Sequence, residues 1–190
     1  MSEDKRKLRE GSLVSFEEGI MSSVEDKVNY QKRLDDFISR QDAFCGNESR
    51  VPLCWKCNGT EVLYQKLDLP LFTNNKRFKS VKLIAAACSK CGEEYINEKE
   101  VRSIEEARKL INAYSSGENN VVELNVSHCD VCGGNSVKDN EMEVFLISKE
   151  SKIISITVQE DYCIECGAVY FAYEGDQQAL EHLRYFFLTQ

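Results

Sequence analysis

No stretch of this 190-residue chain is apolar for long enough to cross a bilayer. The longest apolar run, Leu83 to Cys88, falls far short of the roughly 20 residues a transmembrane helix needs. The charged start, Met1 to Glu10, lacks the apolar core of a secretory signal. Excess basic charge is missing too: 24 Lys and Arg stand against 32 Asp and Glu, a formal charge of −8. Non-specific nucleic-acid binders usually carry the opposite surplus, to neutralise phosphates. Histidine is scarce, and His182 has no Ser, Cys or carboxylate partner in an identifiable catalytic arrangement. These absences set a first expectation: a soluble, cytoplasmic protein with no membrane partner, and not an enzyme.

Cysteine, by contrast, is abundant. Of nine cysteines, eight fall into four Cys-x-x-Cys pairs: Cys54 and Cys57, Cys88 and Cys91, Cys129 and Cys132, Cys163 and Cys166. That spacing suits thiolate metal ligands in a reducing compartment better than a secreted disulfide framework. A shift of 75 residues carries the first four cysteines onto the last four, so each set encloses the same 30 residues between its pairs. Insertions would have destroyed that register, and duplication of one unit is the simplest account.

A Cys-x-x-Cys pair in a tight turn places both sulfurs on one side of the backbone. A glycine after the second cysteine supplies the positive φ such knuckles often need. Gly92, Gly133 and Gly167 hold that place, and in the first knuckle Asn58 stands there with Gly59 behind it; asparagine tolerates the left-handed region better than most residues. Two knuckles joined by a hairpin make a closed cage of four sulfurs with no open position for substrate. The expectation is therefore two structural Zn2+ ions, with iron or an iron–sulfur cluster as the competing occupant. His128, beside Cys129, is expected on the surface or behind the ligands, and Cys45, the odd thiol, as a small buried hydrophobe.

Between its pairs each unit reads as two strands, Glu61 to Leu67 and Phe78 to Ala87, then Glu143 to Ser148 and Lys152 to Glu160. Thr73 to Lys76 and Ser148 to Ser151 are the polar breaks, and short third strands are expected through Glu94-Tyr95-Ile96 and Val169-Tyr170-Phe171. A helix follows each ribbon. Asn97 with Glu100 three residues on resembles a capping box ahead of Val101, Ile104, Leu110, Ile111 and Tyr114, and Ser115-Ser116-Gly117 ends the run. Gly175 and Asp176 open a second helix with Ala179, Leu180, Leu183, Phe186 and Phe187 on one face. Before the ribbons, Ser22 or Ser23 caps a helix carrying Val24, Val28, Leu34, Phe37 and Ile38. The fold class is thus α+β and β-rich: an N-terminal arm with one helix (1–50), a first zinc ribbon plus helix (51–117), and a second zinc ribbon plus helix (118–190).

Charge is unevenly spread: −2 over residues 1–50, +3 over 51–115 and −9 over 116–190. An acidic second half suits a basic protein partner or a solvated face. Lys76, Arg77, Lys79 and Lys82 around Phe78 offer an alternative, a basic hairpin end that clamps phosphates and stacks on a base.

The stretch from Cys54-Trp55-Lys56-Cys57 through Cys88-Ser89-Lys90-Cys91-Gly92-Glu93-Glu94-Tyr95 and into the following helix resembles the YgiT-type zinc finger, the zinc-binding module of MqsA-type antitoxins. The likeness runs from Cys54 to Tyr114 and returns more loosely in Cys163-Ile164-Glu165-Cys166-Gly167-Ala168-Val169-Tyr170-Phe171. It implies one zinc per unit and a ribbon that docks on a protein. Antitoxins of that type add a C-terminal helix-turn-helix; here a second ribbon and a single helix take that place. The leading functional expectation is a non-enzymatic, antitoxin-like regulatory or adaptor protein. Nucleic-acid binding through residues 76–82 is the alternative.

Overall fold

The computed structural model describes residues 24–115, 128–129, 131–134, 137–149, 151–163, 165, 169–171 and 174–189. The order is α1 (Val24–Phe44), β1 (Val62–Pro70), β2 (Phe78–Cys88), β3 (Glu94–Tyr95), α2 (Glu98–Tyr114), β4 (Val137–Phe145), β5 (Ile153–Cys163), β6 (Val169–Tyr170) and α3 (Glu174–Leu188). The class is α+β, as expected. No described helix is long and apolar enough to cross a membrane. The expected caps Ser22 and Ser23, and the charged run Met1 to Glu10, lie outside the described residues.

The repeat seen in the cysteines extends to the backbone. In the first hairpin Val62 pairs with Cys88 and Pro70 with Ser80. In the second, Val137 pairs with Cys163 and Phe145 with Ser155, each 75 residues on. The short strands follow the same rule: Ala86 pairs with Tyr95, and Asp161 with Tyr170.

The two hairpins are not separate bodies. They join edge to edge in one antiparallel six-stranded sheet, ordered β1-β2-β5-β4, with β3 on β2 and β6 on β5. Val81 faces Ile156, its own counterpart in the repeat, while Phe78 pairs with Val158 and Leu83 with Ile153. The shift turns either of these last two pairs into the other. A local two-fold axis therefore passes between Val81 and Ile156.

One face of the sheet is covered by α2 and α3, which bury Ala107, Ile111, Ala179, Leu180, Leu183 and Phe187 against Val81, Leu83, Ile153, Ile156 and Val158. On the other face Phe37 of α1 packs on Ile84 and Ile154, with Cys45, Phe44 and Tyr64 at the margin. Cover on both faces explains the unbroken apolar run in β2, which needs no alternation of polar residues. Cys45, expected to be buried, is only part-buried at the margin of the Phe37 cluster, and His182 stacks on Tyr114 with ring centroids 4.1 Å apart.

Helix α2 starts as the sequence indicates: the Asn97 side chain accepts from the Glu100 backbone N–H at 2.9 Å. The Glu100 side chain does something the sequence did not reveal. It is buried, and it reaches across to the loop of the other hairpin, accepting from Ser151 Oγ and the Lys152 N–H at 2.9 Å each. The mirror contact comes from α3. Buried Asp176 accepts from Asn75 Nδ2 at 2.6 Å and lies 3.4 Å from Arg77 Nε, on the loop of the first hairpin. Each helix thus secures the turn of its neighbour's ribbon.

Strand β4 departs from expectation. It begins at Val137 and ends at Phe145, not Glu143 to Ser148. Lys138 to Glu141 is polar and unlike a strand by composition, but the ladder to β5 overrides local preference. The other strands keep their starts within a residue of expectation; β1 and β5 run three residues further and β2 one, while β3 and β6 stop one residue short, and Pro70 is tolerated at the end of an edge strand.

Two outcomes follow from the paired carboxylates. Glu100→Ala leaves a buried N–H and a hydroxyl without their acceptor, and costs about 2–3 kcal/mol in urea unfolding. Burial raises the pKa of Asp176 above its ordinary 3.8, against the opposing pull of Ser115, Glu160, Arg77 and Asn75. The folded chain keeps this proton where the unfolded chain has lost it, so the stability it gives is full below 3.8 and falls as pH rises through the folded value. Asp176→Asn removes that dependence. Its stability relative to the unmutated chain therefore improves as pH rises from 3.8, and parallel urea-midpoint curves would refute this.

Candidate metal centres

Each of the three knuckles among the described residues is a turn closed by the same kind of backbone bonds. The Asn58 N–H donates to Cys54 O at 2.8 Å and the Cys54 N–H to Gly59 O at 2.8 Å. In the second unit Gly133 donates to Cys129 O and Cys129 to Gly134 O, both at 2.7 Å. The turns demand positive φ, and Asn58 (56°), Gly92 (72°) and Gly133 (74°) adopt it, as the sequence indicates. The β1–β2 ladder then ends with Val62 opposite Cys88, which brings the second knuckle over the first.

The result is a convergence of sulfurs. Cys54, Cys57, Cys88 and Cys91 place their Sγ atoms within 4.8 Å of one another, and so do Cys129, Cys132 and Cys163. Cys54 and Cys91 are 3.5 Å apart, Cys57 and Cys88 3.6 Å, and Cys132 and Cys163 3.7 Å. A disulfide would need about 2.05 Å. Four sulfurs about 2.3 Å from a central ion in a tetrahedron lie about 3.8 Å from each other, close to these spacings. The donor set therefore fits a tetrahedral, sulfur-preferring cation, and both groups could hold a metal ion. Cys166, the expected fourth ligand of the second group, lies outside the described residues, as does Gly167.

Without a cation, four thiols this close cannot all ionise. A hydrogen bond from the Tyr95 hydroxyl, with help from the backbone of Cys57 and Lys56, draws Cys54 down to about 6 despite its burial. Cys91 receives a stabilising bond from the Glu93 backbone, yet burial and the sulfurs of Cys57, Cys54 and Cys88 push it up to about 12. A divalent ion at the centre resolves the conflict, since it favours the charged form of every ligand at once.

The sequence reading did not assign roles to two tyrosines behind the sulfurs. Tyr170 donates its hydroxyl to Cys129 Sγ at 3.1 Å. Tyr95, its counterpart, bonds Cys54 and also accepts from the Trp55 N–H at 3.1 Å. Both close their short third strands, and their equal position in the repeat was the available signal. Groups of this kind orient metal ligands and tune their basicity. His128 is exposed and takes no part in either sulfur group.

The basic hairpin end does not present Phe78 as the exposed ring expected of it. Phe78 is 2% exposed, in the core beneath α2 and α3, and has no free ring face for a base. Arg77 is engaged by buried Glu160, its Nη2 donating to Oε2 at 2.6 Å and its Nε to Oε1 at 3.2 Å. Lys82 is tied to Glu143 at 2.7 Å. Only Lys76 stands well out, with Lys79 half-buried. Alternation along β2 turned the ring inward, and Arg77 serves to neutralise a buried carboxylate. Comparison of the chain with protein-family models, curated proteins and solved structures finds no match.

Phe78→Ala is accordingly expected to behave as a core truncation, costing about 3–5 kcal/mol in chemical denaturation. Lys76→Ala is expected to leave stability within about 0.5 kcal/mol.

Proposed function

We propose that the chain is a non-enzymatic adaptor or regulatory protein built on two tandem zinc ribbons, each with one structural Zn2+ held by four thiolates. Cys54, Cys57, Cys88 and Cys91 would hold the first ion, and Cys129, Cys132, Cys163 and Cys166 the second. The single observation that carries this reading is the convergence of two sulfur groups, at spacings of 3.5–3.7 Å, on the same backbone frame repeated 75 residues apart. Zinc is taken as the occupant because closed four-thiolate cages on Cys-x-x-Cys knuckles are the usual form of structural zinc sites. Each ribbon alone buries too little apolar surface to be stable, and a structural zinc supplies on the order of 10 kcal/mol.

Docking on a protein partner is supported by what the knuckles present. Trp55 is 71% exposed and Leu53 47% exposed on the first, and Val131 is 59% exposed on the second. Exposed tryptophan is unusual in a monomer and common at the centres of protein interfaces. The resemblance to the toxin-binding module of MqsA-type antitoxins agrees with such a role, and the antitoxin-like reading stands on that resemblance. Burial of Phe78 and the engagement of Arg77 favour the protein-docking reading over nucleic-acid binding.

Elemental analysis of freshly isolated protein is expected to give two zinc ions per chain. Stripping them with a strong chelator should abolish the cooperative unfolding transition, and restoring zinc should recover it. Metal well below two per chain in material that stays fully folded would overturn the proposal. For docking, affinity capture from the native host is expected to retain a protein with the unmutated chain and to lose it with Trp55→Ala. Equal capture by both would count against the knuckle as the docking surface.

A further inference from the structure

We propose that the two metal sites, though built on one frame, hold their ions with different firmness: the first is permanent and the second exchangeable. The inference rests on the four-thiolate reading of both sites. One divalent ion with four thiolates carries a formal charge of −2. Nearby cations therefore favour the loaded cluster and nearby anions oppose it. Because the repeat gives every residue beside one cluster a counterpart beside the other, the comparison can be made position by position.

At the first cluster Lys56 is paired with Glu93 at 2.7 Å, so the two largely cancel. Their counterparts in the sequence are Val131 and Ala168, both uncharged. Three other positions in the knuckles and just after them change charge: Lys90 becomes Glu165, Trp55 becomes Asp130 and Glu94 becomes Val169, so the second set is the more acidic. The place of Lys90 and Glu165 is marked by the knuckle glycine. A Cβ built on Gly59 would stand 3.2 Å from Cys57 Sγ, 3.5 Å from Cys88 Sγ and 3.6 Å from Lys90 Cβ. A Cβ built on Gly134, the counterpart of Gly59, would meet the Glu165 carboxylate instead, with Oε2 at 2.5 Å. The stem of a base thus lies beside the first knuckle where the carboxylate of an acid lies against the second.

Two further observations point the same way. Cys132 is exposed, whereas its counterpart Cys57 is half-buried, so competing ligands and oxidants reach the second cluster more readily. The surrounding sequence carries +3 over residues 51–115 and −9 over 116–190. Access and charge combine to make the second ion the first to leave. Loss of zinc from that site would loosen β4, β5 and α3 while the first ribbon stayed closed, so the free zinc level would control half of the sheet.

The test uses the full chain loaded with excess zinc, desalted, and mixed with a chromophoric chelator at low ionic strength. Release is expected in two phases of one ion each, with rates at least about tenfold apart, the scale on which groups behind metal ligands alter affinity. Glu165→Lys should slow the fast phase, and Lys90→Glu should quicken the slow one. Both residues are exposed, so both variants should fold. The unmutated chain provides a separate check: the phases should draw together in about 1 M salt, where the screening length falls to about 3 Å. Release of both ions in one phase would overturn the proposal, as would a fast phase unmoved by Glu165→Lys or a separation indifferent to salt. Loading that never reaches two ions per chain would defeat the four-thiolate reading itself, a different outcome.

Discussion

Val81 and Ile156 face each other where two antiparallel hairpins meet, and almost everything else in the molecule follows from that pairing. A lone hairpin with one helix has an apolar sheet edge and an apolar helix face it cannot cover by itself. Joining β2 to β5 turns two inadequate layers into one sheet broad enough for α2 and α3 to lie side by side on it. The local axis also places each helix start over the other hairpin's turn, where Glu100 and Asp176 find their partners. Buried carboxylates in both positions are tolerable only because donors await them.

At the far end of each hairpin the problem is different. The knuckles are turns of polar backbone around sulfur, with a small apolar cluster of Cys54, Val62, Ala86 and Cys88 beneath the first. Four thiols within 4.8 Å of one another are an unfavourable assembly when they begin to ionise, as the opposed behaviour of Cys54 and Cys91 indicates. The sheet supplies the placement of the sulfurs. A central cation would supply the reason for them to stay, and the hydroxyls of Tyr95 and Tyr170 steady the innermost ligands from behind.

Much of this was legible in the sequence, and the reasons are specific. Cysteine spacing fixed the register of both hairpins, because a knuckle can close only on a knuckle, and Asn58 and Gly133 announced their positive φ by residue type. Asn97 announced the start of α2 through its own side chain. The N-terminal half of β4 escaped because Lys138 to Glu141 is polar. Carrying β1 forward by the repeat would have located it, which shows that internal symmetry can outweigh composition. Illegible were the contacts made through space between distant segments: the pairing of β2 with β5, the reach of Glu100 to residue 152, and the capture of Arg77 by Glu160. Local pattern shows an arginine beside a phenylalanine; only the folded chain shows that one lies against a buried acid and the other in the core.

An axis of symmetry inside a single polypeptide has different consequences from one between identical subunits. In a homodimer any substitution is made twice, so the two halves cannot drift apart and a charge placed beside one cluster appears beside both. Here the halves are separately encoded, and each can change without its twin. The same skeleton can therefore carry Lys90 on one side and Glu165 on the other, a specialisation that an assembly of identical chains could not reach.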